Sequence, residues 1–278
     1  MCDPRVIDTV KRRMLKERPL SRRRLLQRSA CAMTAGVTAC GASSAVTAPG
    51  SARTVEDMTY ELHREFPTYF GVPGFEAEHT YNYAEHRFNL FNLRLNEHTG
   101  THVDAPLHFS GDGLAVHEIP VNQLVVPLCV IDIAARAADD ADAQVTPDDI
   151  TAYISRHGPL PRHACVAMYS GWGRHVTTKK YRNEDLFGAM HFPGFHREAV
   201  EMLMDDTEAV ALAVDTLSLD HGKSRDLATH YAWLPTNRYG IENLANLENV
   251  PASGATLVVG APKHRGGSGG PARIFAFF

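Results

Sequence analysis

Apolar and polar side chains alternate in residues 91–96, where Phe91, Leu93 and Leu95 are separated by Asn92, Arg94 and Asn96. A period of two turns one face of a strand toward a core, so a strand is predicted over 88–98. LVVPLCVIDI (124–133) is continuously apolar, the pattern of a strand buried on both faces. HACVAMYS (163–170), VALAVDTLSLD (210–220), GATLVVGAPK (254–263) and ARIFAFF (272–278) read as further strands, the last two joined by a turn, HRGGSGGP. RTVEDMTYELH (53–63) reads as an opening strand, and the Pro-, Gly- and aromatic-rich residues 64–87 as a long loop.

The period lengthens in two places. TPDDITAYISRHG (146–158) begins with a Thr-Pro-Asp helix start and carries Ile150, Tyr153 and Ile154 at helical spacing. PGFHREAVEMLMDD (193–206) has Pro193 at its start and an apolar stripe at Val200, Leu203 and Met204. Strands outnumber helices and the two do not alternate regularly. That order predicts an α/β fold: one compact domain over 49–278, with a mixed, largely antiparallel sheet or barrel and flanking helices.

Charge changes the picture at the N-terminus. The 278-residue chain has a net charge of −4, but ten of its 28 Lys and Arg and three of its 32 Asp and Glu fall within residues 1–48. Residues 49–278 therefore hold 18 basic against 29 acidic side chains, which argues against nucleic acid as a partner. The basic segment precedes a run of small residues and then Pro49, the layout of an export signal. Ser21-Arg22-Arg23-Arg24-Leu25-Leu26 resembles a twin-arginine signal, with Leu25 at the usual phenylalanine position. Val46-Thr47-Ala48 suits cleavage after Ala48, whereas Val37-Thr38-Ala39-Cys40 resembles a lipobox that would leave Cys40 lipidated and the protein membrane-anchored. Residues 1–48 are read as a signal peptide and the protein as periplasmic or extracellular. Of the cysteines only Cys129 and Cys165 lie beyond it; both sit in apolar runs and are expected as buried free thiols.

The chemistry is concentrated in NEHTGTHVDAPLHF (96–109). His98, His102 and Asp104 share parity and would face one side of an extended chain, and imidazole with carboxylate is a donor set for zinc, manganese or iron. Four extended residues span roughly 13 Å, too far for two histidines to reach one ion at about 2.1 Å. Gly100 offers a resolution, because glycine adopts backbone angles that fold a strand end inward. A polar strand end with solvated histidines would leave the glycine, the aspartate and Pro106 unexplained. His108, past Pro106, suits general acid–base work near neutral pH. Phe75 and Trp172, with Tyr69 and Phe70, are candidates to line an aromatic substrate pocket. GGSGG (266–270) lacks the spacing of a phosphate-binding loop.

HTGTHVDAPLHF closely resembles HxGTHxDxPxHF, the signature of the cyclase family, which includes bacterial-type kynurenine formamidases, isatin hydrolases and some polyketide cyclases. Asp57-Met58-Thr59, LVVPLCVIDI, FPGF (192–195), VDTLSLD (214–220) and GGSGGPAR (266–273) fit in the same order, so the resemblance covers about 54–278. It implies the family's swivelling β/β/α fold and a divalent metal, zinc or manganese, with one or two ions per subunit. In the formamidase branch an aspartate bridges two ions. The motif histidines serve the first, and a distant histidine with a glutamate twelve residues later serves the second. Here those positions are His98, His102 and Asp104, then His230 and Glu242. The same resemblance makes His108 a proton shuttle and implies a homodimer or homotetramer.

The function expected is metal-dependent hydrolysis of an amide, formamide or cyclic amide in a small aromatic or cyclic substrate. A cyclase, lyase or lactonase using the same donors is the alternative, and an exported metal-binding protein without turnover belongs to a different class. An exported enzyme meets extracellular substrates, which argues against N-formylkynurenine, the cytoplasmic substrate of the family's best-known branch.

Overall fold

The computed structural model describes residues 54–278; the twin-arginine, lipobox and cleavage motifs lie outside them. Among the described residues there are thirteen strands: β1 (Val55–Asp57), β2 (Phe75–Tyr81), β3 (Leu90–Leu95), β4 (His102–Asp104), β5 (Val125–Asp132), β6 (Gln144–Val145), β7 (Cys165–Tyr169), β8 (Gly194–Phe195), β9 (Ala211–Val214), β10 (Tyr239–Glu242), β11 (Ala255–Gly260), β12 (Gly269–Pro271) and β13 (Arg273–Phe277). The α-helices among them are α1 (Tyr83–His86), α2 (Ala134–Asp139), α3 (Pro147–His157), α4 (Arg197–Asp206) and α5 (Ala228–Trp233). None among the described residues is long and apolar enough to cross a membrane.

Nine strands form one sheet in the order β1-β13-β11-β5-β7-β9-β10-β4-β12. The fold is the mixed α/β arrangement expected, and the direction of pairing divides it. Strands β5, β7, β9 and β10 run parallel at the centre, with antiparallel pairs on both flanks. Parallel neighbours need crossovers, and α3, α4 and α5 lie within those crossovers.

Alternate residues of the central strands enter two cores. Leu128, Val130, Cys165, Ala167, Ala211 and Ala213 join one. Cys129, Ile131, Val166, Met168, Leu212 and Val214 join the other, with Ile150 of α3, Leu203 of α4 and Trp233 of α5. Burial on both faces is why LVVPLCVIDI has no polar alternation. Cys129 and Cys165 are buried free thiols on opposite faces of adjacent strands. Helix α3 begins as its sequence indicates: Thr146 and Asp149 form a capping box, with Asp149 Oδ2 accepting from Thr146 N at 2.8 Å.

Three local expectations change. The helix after Pro193 starts only at Arg197, because Gly194 and Phe195 pair with Gln144 and Val145. HRGGSGGP is more than a turn: Gly269–Pro271 pairs with β4 at the sheet edge. Residues 64–87 contain β2 and α1, and β2 pairs with β3 in a separate two-stranded sheet. Of the described residues, Ala77–Leu93 fall in a unit separate from the one that holds Arg94–Phe278. Within it, Asn82 caps α1 by accepting from Glu85 N at 3.0 Å, and His79 stacks on Phe91 at 4.2 Å. The period-two face of β3 is nonetheless exposed at Phe91 and Leu93.

Candidate metal centre

Strand pairing assembles the first part of the site. In the antiparallel β4–β10 register, His102 sits opposite Glu242 and Asp104 opposite Gly240. Residues two apart share a face, so His102, Asp104 and Glu242 project together. Val103 and Ile241 turn the other way, into the core. Gly100 then provides the predicted bend: its φ is +65°, and a Cβ there would press on Leu62 at 3.0 Å. The bend brings His98 back over β4, with Nδ1 2.7 Å from Asp104 Oδ1.

His230 arrives from α5, whose first turn is held by Asp220. That carboxylate accepts from Thr229 N at 2.8 Å and His230 N at 3.2 Å, and also bonds His230 Nδ1 at 2.6 Å. Nε2 of His230 is thereby aimed at Glu242 Oε1 (3.2 Å) and Asp104 Oδ2 (3.6 Å). His102 is oriented in the same manner, Nδ1–H donating to the Gly100 carbonyl at 2.9 Å. Its Nε2 lies 3.3 Å from both Asp104 Oδ1 and Glu242 Oε2.

The donor accounting points to a cation. With Nδ1–H committed outward, Nε2 of His102 and Nε2 of His230 both face carboxylate oxygens, an arrangement that calls for positive charge between them, either a proton on each ring or a cation shared by rings and carboxylates. His102 Nε2 and Asp104 Oδ2 are two of three buried side-chain polar atoms without a hydrogen-bond partner among the described residues. His102, Asp104 and Glu242 form one group of potential ligand atoms within 4.8 Å of one another; His98, Asp104 and His108 form a second, overlapping at Asp104. A divalent cation fits this nitrogen and oxygen set. A carboxylate behind His230 and a carbonyl behind His102 are the outer partners such ligands usually have.

Electrostatics agrees. Burial disfavours a charged His102, yet Asp104 and Glu242 outweigh it and raise its pKa to about 10. His230 is raised well above its usual value: burial opposes this, but Asp104, Asp220 and Glu242 prevail. Burial would raise Asp104, but the surrounding histidines hold it well below the ordinary carboxylate range. The cradle attracts positive charge. His108 differs: burial lowers it to about 4, so it is neutral near pH 7, and its ring stacks on His98 with centroids 3.7 Å apart.

The site lies at the base of a cavity of about 130 Å³ lined above by Tyr69, Phe70, Phe109, Leu217 and Leu227. All six polar residues singled out in the sequence, His98, His102, Asp104, His108, His230 and Glu242, meet here. Phe75 and Trp172 do not line this cavity. Trp172 is fully buried in a satellite core with Tyr181, Met190 and Phe192, its indole N–H donating to Tyr181 O. Phe75 opens β2 and borders a different depression with Arg94. Tyr69 and Phe70 do line it, and Phe109 packs on His230 at 4.6 Å between centroids.

Two polar residues of the site carried no distinctive sequence signal. Asp220 ends an apolar run and reads simply as its polar stop. Asn243 adopts a left-handed φ of +55°, donates from Nδ2 to Gly100 O at 2.9 Å, and accepts on its own carbonyl from Thr101 Oγ1 at 2.6 Å. It ties the end of β10 to the bend that carries His98.

A mixed sheet with a buried His/Asp/Glu cradle under an aromatic cleft defines the class, an α/β protein with a candidate metal centre. The chain belongs to the cyclase family: the profile described as "Putative cyclase" matches residues 56–221. His230 and Glu242 lie beyond that span, and the fold brings them to the same cradle as the motif residues. Among characterised relatives, an isatin hydrolase of Roseibium aggregatum is 31% identical over 192 residues, covering 66% of this chain and 72% of that one. A kynurenine formamidase of Salinibacter ruber is also 31% identical over 192 residues, covering 69% and 81%. The solved structure of isatin hydrolase A from Ralstonia solanacearum superposes with a TM-score of 0.76 at 32% identity, covering 81% of this chain and 92% of that one.

Proposed function

We propose that this protein hydrolyses the C–N bond of a small amide, formamide or cyclic amide, using a divalent metal held by His98, His102, Asp104, His230 and Glu242. The observation that carries the reading is the pair of unpartnered buried atoms, His102 Nε2 and Asp104 Oδ2, at the base of a cavity. Homology to hydrolases of isatin and of a formamide supports the bond class. Asp104 belongs to both potential ligand groups and would serve each of them if two ions were held. Zinc and manganese both suit the donors.

When bound by these residues, a divalent metal would supply Lewis acidity, lowering the pKa of water toward about 7 and polarising a carbonyl oxygen. The protein's own residues do the rest. Asp220 and the Gly100 carbonyl keep two imidazoles in the metal-binding tautomer. His108, neutral and beside the ligands, takes the proton released on attack and delivers it to the departing nitrogen. Tyr69, Phe70 and Phe109 hold the ring of the substrate and exclude water. Among the described residues no Lys or Arg lines the cavity, which favours a neutral ring amide over a substrate bearing a free carboxylate.

The decisive experiment is a screen of metal-stripped and zinc- or manganese-loaded protein against isatins, formyl-anilides, cyclic imides and lactones in ¹⁸O-water. Metal-dependent opening of an amide with one labelled oxygen in the product is expected. Product formed without label would replace hydrolysis with a cyclase or lyase reaction, and metal binding without any turnover would leave a binding protein. Export by the twin-arginine route and assembly as a dimer or tetramer belong to the same proposal; fractionation of cells and light scattering test them.

A further inference from the structure

Of the three candidate ligand histidines His98, His102 and His230, His98 is the one whose outer nitrogen meets neither a carboxylate nor a carbonyl. Its Nε2 lies 3.0 Å from the hydroxyl of Ser268, in the GGSGG segment. Ser268 is itself bound to Glu97, with Oγ 2.6 Å and N 3.1 Å from Oε2. The other oxygen of Glu97 lies 2.5 Å from His264 Nε2.

The direction of these bonds follows from what each group can give. A carboxylate only accepts, so the hydroxyl proton of Ser268 is committed to Glu97. Ser268 Oγ can then only accept from His98, which places the proton of the neutral ring on Nε2. The Nδ1 lone pair is left facing Asp104 Oδ1 at 2.7 Å. We propose that Ser268 and Glu97 are positioning residues that hold His98 with its Nδ1 lone pair presented to the metal, as Asp220 does for His230 at Nε2.

This accounts for the glycines around Ser268. A Cβ on Gly269 would collide with the Val103 carbonyl and lie 2.7 Å from His98 Cε1; one on Gly267 would collide with His264 and lie 2.6 Å from Glu97 Oε1. Only a backbone without side chains brings Ser268 close enough, and β12 pairing with β4 fixes it there. The segment that resembles a phosphate loop is thus a clasp on a ligand histidine, reaching across more than 160 residues of sequence.

The inference rests on the metal-hydrolase reading, and its test separates the two. Zinc affinity of the full domain is measured by competition with a chromophoric chelator for wild type, Ser268→Ala and Glu97→Gln. The His98 ring is followed by long-range ¹H–¹⁵N correlation in the zinc-loaded protein. Wild type is expected to show His98 protonated at Nε2 with Nδ1 metal-bound. Ser268→Ala is expected to lose the ordered Nε2–H and to weaken zinc binding about 10- to 100-fold, the usual effect of removing an outer partner. Glu97→Gln, at a partly exposed position that tolerates substitution, is expected to weaken binding less and in the same direction. If both variants bind zinc as wild type does, with His98 still in the Nε2–H form, the clasp is overturned and the metal reading stands. If wild type binds no zinc or manganese, both fall together.

Discussion

Asp104 and Asp215 are both buried carboxylates, at 1% and 3% exposure, and their surroundings give them opposite characters. Asp215 follows β9 and is surrounded by donors: Ser170 Oγ at 2.6 Å, Ser170 N at 3.1 Å and Trp172 N at 3.1 Å. It braces the turn after β7. Burial raises its pKa to about 6, and those hydrogen bonds only partly offset the rise. Asp104 is instead faced by ring nitrogens of His98, His102 and His230, which hold it well below the ordinary carboxylate range, and its Oδ2 has no hydrogen-bond partner. Burial alone therefore does not mark a functional carboxylate. What marks it is a shell of imidazole nitrogens and carboxylates that together can hold a cation.

Substitution should separate the two most sharply. Asp104→Ala is expected to abolish stoichiometric metal binding, read by elemental analysis, and to reduce hydrolysis to background. Retained activity in that variant would dissolve the distinction between the two aspartates. His108→Ala comes next: kcat is expected to fall by about 10²- to 10⁴-fold with metal content unchanged. Loss of metal instead would make His108 a ligand.

The third expectation is structural. Asp215→Ala should leave metal stoichiometry intact and lower stability to urea by roughly 2–4 kcal/mol, since several buried donors lose one acceptor. The smallest effect is on pH dependence. The folded-state pKa of Asp215, about 6, lies above its ordinary 3.8. The folded protein thus binds the proton more tightly than the unfolded chain. That contribution is full below the unfolded value and is lost as pH rises through about 6. Between those values it tilts stability downward with pH by at most about 1.4 kcal/mol per unit. Asp215→Asn should flatten that segment of the stability curve, measured by urea titration in steps of pH.

Legibility in the sequence followed how local each cause is. Strands β5, β7, β11 and β13 were readable because burial on one or two faces writes its period directly into neighbouring residues. The exposed β2 has no such pressure and reads as loop. The 98–108 cluster was legible because six of its determinants are contiguous, including the glycine that solves the spacing of His98 and His102. His230 and Glu242 were reached by the spacing of a resembled family, not by any local pattern. Phe75 and Trp172 misled, since an aromatic ring in a core and one lining a cleft look alike in sequence.

The sequence by itself determined the cluster of candidate donors between His98 and His108, the bend at Gly100 and the helix and strand periods, because each depends on residues a few positions apart. Tertiary structure alone decided the rest. The β4–β10 register sets Glu242 opposite His102, Asp220 holds the first turn of a helix and bonds His230, and Ser268 of GGSGG, held by Glu97, meets His98. Those arrangements are pairings of distant segments. Whether a buried polar atom finds a partner or is left waiting for an ion is decided only when the segments meet.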